Sequence, residues 1–251
     1  MRRPSVAIVG LGLVGGSLAR ALTRKGYRVT GIDWPLVVRQ AQRTRAITRG
    51  ATRAEAAARS DVVVLAAPPA TNLRLLKRLA KVAPPGLILT DVSSVKRAIV
   101  GEAARLGLRG FVGGHPMAGT EKQGFSASRS DLFEGATWWL VPAPSRRANR
   151  AVRALVRDAG ARPVITAAAR HDRVMAFLSH APQVVAWALF ETARRDAVAG
   201  RHIRRAGPGF RDMTRLARSP RALWQDILAA NRVEVRRALA ALERSLERRK
   251  P

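Results

Sequence analysis

Four apolar residues, Val6-Ala7-Ile8-Val9, run straight into Gly10-Leu11-Gly12-Leu13-Val14-Gly15, and helical spacing begins at Leu13. An apolar run this short, closed by glycines and followed at once by a helix, restricts the chain to a strand-turn-helix unit. Each glycine has its own reason. Gly10 permits the tight turn, Gly12 lets an anion approach the backbone, and Gly15 lets helix pack closely on strand. The N–H groups at Leu13 and Val14, with the positive end of the helix, then face that anion.

Glycine turns are common, so the surrounding order carries the meaning. An acid, Asp33, closes a second strand, Arg28 to Ile32, about 20 residues further on, which is the dinucleotide-binding spacing. A carboxylate there accepts hydrogen bonds from a ribose 2′-hydroxyl and repels a 2′-phosphate. The next residue is Trp34 and not an arginine, so NAD is the expected cofactor. The expected cofactor contacts are Gly10, Gly12, Leu13, Val14, Gly15, Asp33 and Ala66, the last at the end of the strand Asp61–Ala66.

That strand is uniformly apolar, as a strand buried on both faces must be. Helical spacing at Leu73, Leu76 and Leu79 follows, and Pro84-Pro85-Gly86 breaks it before the strand Leu87–Asp91. Strands separated by helices imply a parallel sheet with right-handed crossovers, whose ligands lie beyond the carboxyl ends of the strands. The loops after Gly10, Ala66, Asp91 and Gly114 are therefore the candidate site. Ser94, in Val92-Ser93-Ser94-Val95-Lys96, either caps the next helix or holds a ligand. The run from Phe111 to Gly114 delivers His115 to the ligand rim, ahead of a polar loop containing Thr120, Glu121 and Lys122. Thr137–Val141 reads as a strand, Ala148–Ala159 as a helix and Pro163–Thr166 as an edge strand.

From His171 the strand signals stop. The expected architecture is α/β: a Rossmann-type dinucleotide-binding domain over 1–166, then an all-helical substrate and dimerisation domain over 167–251. Val174, Phe177, Leu178, Ala181, Val185 and Leu189 keep helical spacing and are the expected packing face. Met175, Ser179, Gln183 and Trp187 form a second stripe. Pro182 lies inside it, which predicts a kink that strips the Leu178 carbonyl of its partner and turns Ser179 and Gln183 toward a cleft. Ser219-Pro220 reads as the cap and first turn of one long helix with Trp224, Ile227, Leu228, Val235, Leu239, Leu242 and Leu246 along its apolar stripe. Helices this apolar bury little by themselves, so a homodimer through the helical domain is expected.

The chain has 251 residues, 47% of them apolar, and a formal net charge of +29. A surplus this large raises a basic nucleic-acid-binding module as an alternative. The arginines are spread along the whole length and aromatics for base stacking are few, so no specific nucleic-acid partner is expected. With no cysteine there is no thiolate metal site, and no metal is expected. The apolar N-terminal stretch is broken by glycines and lacks a cleavage site. No run approaches a membrane span, and a cytoplasmic protein is the expectation.

Five blocks in order resemble the prephenate/arogenate dehydrogenase family of tyrosine biosynthesis. They are Gly10 to Ser17, Asp91 to Lys96, Gly114 to Lys122, Ser179-His180-Ala181-Pro182 and Gly209-Phe210-Arg211-Asp212-Met213-Thr214-Arg215. The resemblance implies NAD-dependent oxidative decarboxylation of prephenate to 4-hydroxyphenylpyruvate, or of arogenate to tyrosine. It makes His115 the catalytic base and Ser94 its neighbour at the substrate hydroxyl. It gives Arg215 to a substrate carboxylate and makes Glu121 and Asp212 acids that order the site; Thr120, Ser179 and Gln183 complete the expected substrate contacts. Gln183 and Ser93 depart from the family, which often has histidine at the first position and usually glycine at the second. No appended mutase or regulatory domain is expected, and His180 and His202 read as structural. A related dehydrogenase acting on a hydroxy acid would usually supply a lysine from its helical half, and none lies between Lys122 and Lys250.

Overall fold

The computed structural model describes residues 3–120 and 122–249. The chain divides into two compact units, Met1–His171 and Asp172–Pro251. The division falls about one helical turn beyond the boundary expected at 166/167.

The first unit is built on one sheet. Its strands are β1 Val6–Val9, β2 Val29–Ile32, β3 Arg49–Ala51, β4 Val62–Leu65, β5 Ile88–Asp91, β6 Phe111–Pro116, β7 Thr137–Val141 and β8 Arg162–Ile165. They lie in the order β3-β2-β1-β4-β5-β6-β7-β8. β1 pairs in parallel with both β2 and β4, so the strand order reverses at β1. Ligands bind at such a reversal because the loops on either side splay apart.

Helices α1 Leu13–Arg24, α2 Pro35–Arg43, α3 Pro69–Ala80, α4 Arg97–Arg105 and α5 Arg146–Asp158 connect and cover the strands. Successive side chains of a strand point to opposite faces. Val6 and Ile8 accordingly pack with Leu18, Leu22, Val152 and Val156, whereas Ala7 and Val9 pack with Leu76, Leu79 and Ile99. Two apolar layers are therefore sealed by helices of opposite faces, and the site residues are carried by the loops between them.

The sheet is not wholly parallel as expected: β7 runs antiparallel to β6, with His115 opposite Trp139. A parallel return needs a crossover that covers the sheet, usually a helix. Between Pro116 and Thr137 the described residues form only a 3₁₀ turn, Phe125–Ala127, so the strand comes back as the partner of a long hairpin.

The second unit takes the latter half of α6 Ala168–Met175, and continues through α7 Ala181–Arg195, α8 Ala199–His202, α9 Pro208–Thr214, α10 Arg221–Ala230 and α11 Arg232–Glu247. Its core is small: Ala176, Ala181, Val235 and Ala238, with Val184, Leu228 and Leu239 packed against them. Several expectations are corrected in this unit. Pro182 does not produce an isolated kink; a single π-helical turn, Ala176–His180, joins α6 to α7, and the wider turn absorbs the missing donor. The extra residue rotates the faces, so Phe177 and Leu178 are exposed while Met175 and Gln183 are buried. The expected packing face and polar stripe thus exchange places in part.

The expected single helix from Ser219 is two, α10 and α11, parted at Asn231. Asn231 is buried, and its Nδ2 donates 2.7 Å to the Asp172 carbonyl and stands 3.0 Å from His180 Nδ1. That inward pull competes with helix continuation. The cap also differs, because Pro220 occupies the N-cap with no side-chain hydrogen bond.

Candidate active site

The glycine turn has the shape an anion needs. Gly10 has φ +100°, and a Cβ there would stand 2.7 Å from the Ala66 carbonyl oxygen. A Cβ on Gly15 would overlap the Gly10 carbonyl oxygen, whereas one on Gly12 meets nothing within 4 Å. Gly10 and Gly15 are therefore closed by protein and Gly12 faces open space. Gly12 is also the N-cap of α1, with no side-chain cap on the N–H groups behind it. Those groups await an acceptor, and a pyrophosphate fits.

Asp33, at the end of β2, is half-buried. Its Oδ2 accepts from the Leu11 N–H at 2.6 Å and its Oδ1 from its neighbour Trp34 N–H at 2.6 Å. The carboxylate is thus tied to the glycine turn it was expected to serve. Trp34 is 79% exposed, and nothing on it supplies a cation for a 2′-phosphate. The residues present fit NAD.

Beyond β4 and β5 two loops are stitched together. Asn72 is fully buried; its Oδ1 accepts from Ala67 N–H at 3.1 Å and its Nδ2 donates to Ser93 Oγ at 2.9 Å. Ser93, the departure from the family's glycine, is therefore absorbed by a partner inside the fold. Ser94, the next residue, is half-buried and forms no side-chain hydrogen bond among the described residues.

A buried ion pair lies under the same loop. Lys96 Nζ stands 2.6 Å from Asp91 Oδ2, both side chains are 0% exposed, and Nζ also donates to the Gly114 carbonyl at 2.6 Å. Asp91 Oδ1 accepts from the Gly114 N–H at 2.9 Å, and Asp91 Oδ2 from the Ser93 N–H at 2.9 Å. Both backbone groups of the residue before His115 are consequently held by one charged pair. Such a pair is worth its desolvation only when its remaining valences are used, and here they fix the Ser93-Ser94 loop and β6 together.

His115, near the end of β6, is 8% exposed, and its Nδ1 lies 2.9 Å from Nε2 of the fully buried His171. The rings meet edge to face at 5.1 Å, and Trp139 meets His171 edge to face at 6.2 Å. His171 is a functional candidate that reading the sequence missed. Fifty-six residues separate it from His115, and only the fold brings them together.

In the second unit, Gln183 on α7 is fully buried and its Nε2 donates to the Leu216 carbonyl at 2.7 Å. Arg215 opens the 3₁₀ turn Arg215–Arg218, is exposed, and makes no ion pair among the described residues. Asp212 is exposed on α9 and Ser179 is half-buried in the π turn. Thr120 is exposed in the loop after β6, where its Oγ1 accepts from Lys122 N–H at 3.2 Å. Glu121 lies outside the described residues. Among the described residues no cluster of three or more His, Asp or Glu could hold a metal, and no helix is long and apolar enough to cross a membrane.

Comparison with known proteins bears on the family of the chain. Residues 18–165 match the family model "Prephenate dehydrogenase, nucleotide-binding domain", and residues 167–250 match "Prephenate dehydrogenase, dimerization domain". The prephenate dehydrogenase of Lactococcus lactis is 33% identical over 90% of this chain, which spans 64% of that relative's length. Among solved structures, prephenate dehydrogenase from A. aeolicus in complex with hydroxyphenyl propionate and NAD+ is 32% identical. It superposes with a TM-score of 0.92 over 99% of this chain and 90% of its own. The arogenate dehydrogenase of Synechocystis is 28% identical with a TM-score of 0.86, over 97% and 90% of the two chains. With two domain models spanning nearly the whole chain in the right order, this protein belongs to the prephenate dehydrogenase family.

Proposed function

We propose that the protein oxidises prephenate to 4-hydroxyphenylpyruvate and carbon dioxide with NAD. The observation that carries this reading is the His115–His171 pair at the end of β6, in a unit whose glycine turn fits a pyrophosphate. NAD, when bound, supplies the hydride acceptor; the residues of this chain supply position and proton transfer.

His115 is the proposed catalytic base. With Nδ1 engaged by His171, a neutral imidazole that donates from Nδ1 presents Nε2 as the acceptor, the protonation state a base requires. As the hydride leaves the ring carbon bearing the hydroxyl, Nε2 takes the hydroxyl proton and the carbon becomes a ketone. Loss of the ring carboxylate as carbon dioxide then sends its bonding electrons into the ring, which becomes aromatic. The oxygen regains a proton, and the imidazolium of His115 is the donor in this scheme. Ser94 is the proposed hydrogen-bonding neighbour of the same hydroxyl, and Arg215 the guanidinium for a substrate carboxylate, a role its planar fork suits.

Arogenate is the second reading, favoured by the likeness to the Synechocystis enzyme. One assay separates them: purified protein, NAD or NADP, and either substrate, with reduced cofactor followed by absorbance. Turnover of prephenate with NAD that disappears in His115→Asn, while NAD still binds, is the expected result. Normal turnover by that variant would remove His115 from the mechanism.

Two further parts of the reading follow from the family. A homodimer through the second unit is supported by its exposed apolar side chains, among them Leu178, Met213, Val233 and Leu246, and sedimentation measures it. A cytoplasmic location accords with a small-metabolite substrate and a nicotinamide cofactor.

A further inference from the structure

Two side chains of α7 hold the backbone of the turn that carries Arg215. Gln183 Nε2 donates to the Leu216 carbonyl at 2.7 Å, and Trp187 Nε1 donates to the Ala217 carbonyl at 3.2 Å. The donors are four residues apart, one helical turn, and the acceptors are consecutive carbonyls immediately after Arg215. Trp187 is itself held: Trp224 meets it edge to face at 6.3 Å, and the Arg221 guanidinium lies 5.4 Å over its ring while pairing with Glu191. The far end of the Gln183 amide, Oε1, is buried without a hydrogen-bond partner among the described residues.

We infer that Gln183 and Trp187 are positioning residues for Arg215, which rests on the reading of Arg215 as the guanidinium for a substrate carboxylate. The orientation of the Gln183 amide argues for this and against a direct substrate contact through nitrogen. Its Nε2 is spent on Leu216, and a donor spent on backbone is not offered to a ligand. An exposed arginine with no ion pair has many rotamers, and binding a carboxylate must restrict them. Fixing the two peptide units after Arg215 holds its Cα and Cβ in place and removes part of that search. Small displacements of a binding group have large effects on productive geometry, so the readout is substrate affinity.

The protein also lends itself to a clean substitution. Leu216 O keeps a second donor, the Ser219 N–H at 3.0 Å, and Gln183→Leu removes an orphaned acceptor along with the donor, which limits the cost to folding. The experiment is a double-mutant cycle of Gln183→Leu and Arg215→Ala, with substrate KM, NAD KM and kcat measured for each. Gln183→Leu is expected to raise substrate KM on the order of 10-fold, while kcat and NAD KM stay within about threefold. In the Arg215→Ala background the same change is expected to have almost no further effect, since its route to the substrate is gone.

Three outcomes overturn the idea. If Arg215→Ala leaves substrate KM unchanged, the reading of Arg215 fails and this inference with it. If Arg215→Ala raises KM but Gln183→Leu does not, the positioning role alone fails. If the two effects simply add, Gln183 meets the substrate directly. Should Gln183→Leu fail to fold by circular dichroism, Trp187→Phe, which keeps the ring and loses only the N–H, enters the same cycle with the same expectations in smaller measure.

Discussion

Nδ1 of His115 and Nε2 of His171 stand 2.9 Å apart in a buried setting, although His171 is the last residue of the first compact unit and His115 lies in the middle of its sheet. At that separation the two facing nitrogens share one proton, so the tautomer of either ring dictates the tautomer of the other. The pair has the form of a base and its orienter, the arrangement by which a third group selects the reactive nitrogen of a histidine.

His171→Leu is therefore expected to lower kcat by roughly 10²-fold while substrate KM changes little, because a misoriented base costs the chemical step more than binding. His171→Gln, whose carbonyl oxygen can still accept from His115 Nδ1, should recover a large part of the loss. Steady-state kinetics of the two variants, with their kcat–pH profiles, decide it. Equal losses in both would leave His171 a packing residue.

The buried Lys96–Asp91 pair leads to a separation of stability from activity. Lys96→Met leaves Asp91 charged and buried, a change that typically costs about 3–5 kcal/mol. Adding Asp91→Asn removes the stranded charge and should restore much of that stability. It should not restore turnover, since Gly114 has then lost the charged clamp that fixes His115. Urea unfolding and initial rates on the same samples measure both.

Alanine at two glycines of one turn should have opposite effects. Gly15→Ala drives a Cβ into the Gly10 carbonyl and is expected to destabilise the unit outright. Gly12→Ala, with open space around its new methyl, should fold as the parent does and fail in NAD affinity, by an order of magnitude or more. Thermal melts with and without NAD tell the two apart. A Gly12→Ala variant that binds NAD normally would mean that the cofactor phosphates do not approach this backbone.

A pH effect is expected from Tyr27. Burial first, then its hydrogen bond to Asp158 and that carboxylate's charge, push its phenol up from 10.0 to about 12. Its hydroxyl donates to Asp158 Oδ2 at 2.6 Å, and Arg3 lies 4.8 Å over the ring. Below pH 10 the group is protonated whether the chain is folded or not, and the stabilisation is whole. Between 10 and 12 the unfolded chain releases a proton that the folded chain keeps, so stability falls as pH rises. Tyr27→Phe should lose roughly 1.5–3 kcal/mol at neutral pH and show a shallower decline between pH 10 and 12. Denaturation midpoints across that range compare the two proteins.

The sheet was legible because its signals are local. The apolar runs of β1, β4 and β5 need both faces covered, and the glycine turn declares the strand before it and the helix after it. His115 was legible for the same reason, as a histidine at the end of a strand on the ligand side. His171 was not, since a contact across fifty-six residues leaves no periodic trace. The antiparallel β7 was missed because an apolar strand carries no mark of direction; the absence of a long helix ahead of it was the available clue. In the second unit the π turn defeated the helical count. One added residue moved Phe177 and Leu178 outward and Gln183 inward, and a stripe drawn at 3.6 residues per turn cannot register it.

The bond from the Leu11 N–H to Asp33 Oδ2 joins two properties usually discussed separately. An exchange that welcomed a 2′-phosphate, serine or arginine for the acid, would also withdraw the acceptor that closes the glycine loop. Changing coenzyme preference in this scaffold is thus a two-site engineering problem, in which the loop needs a substitute latch before the pocket can be recharged.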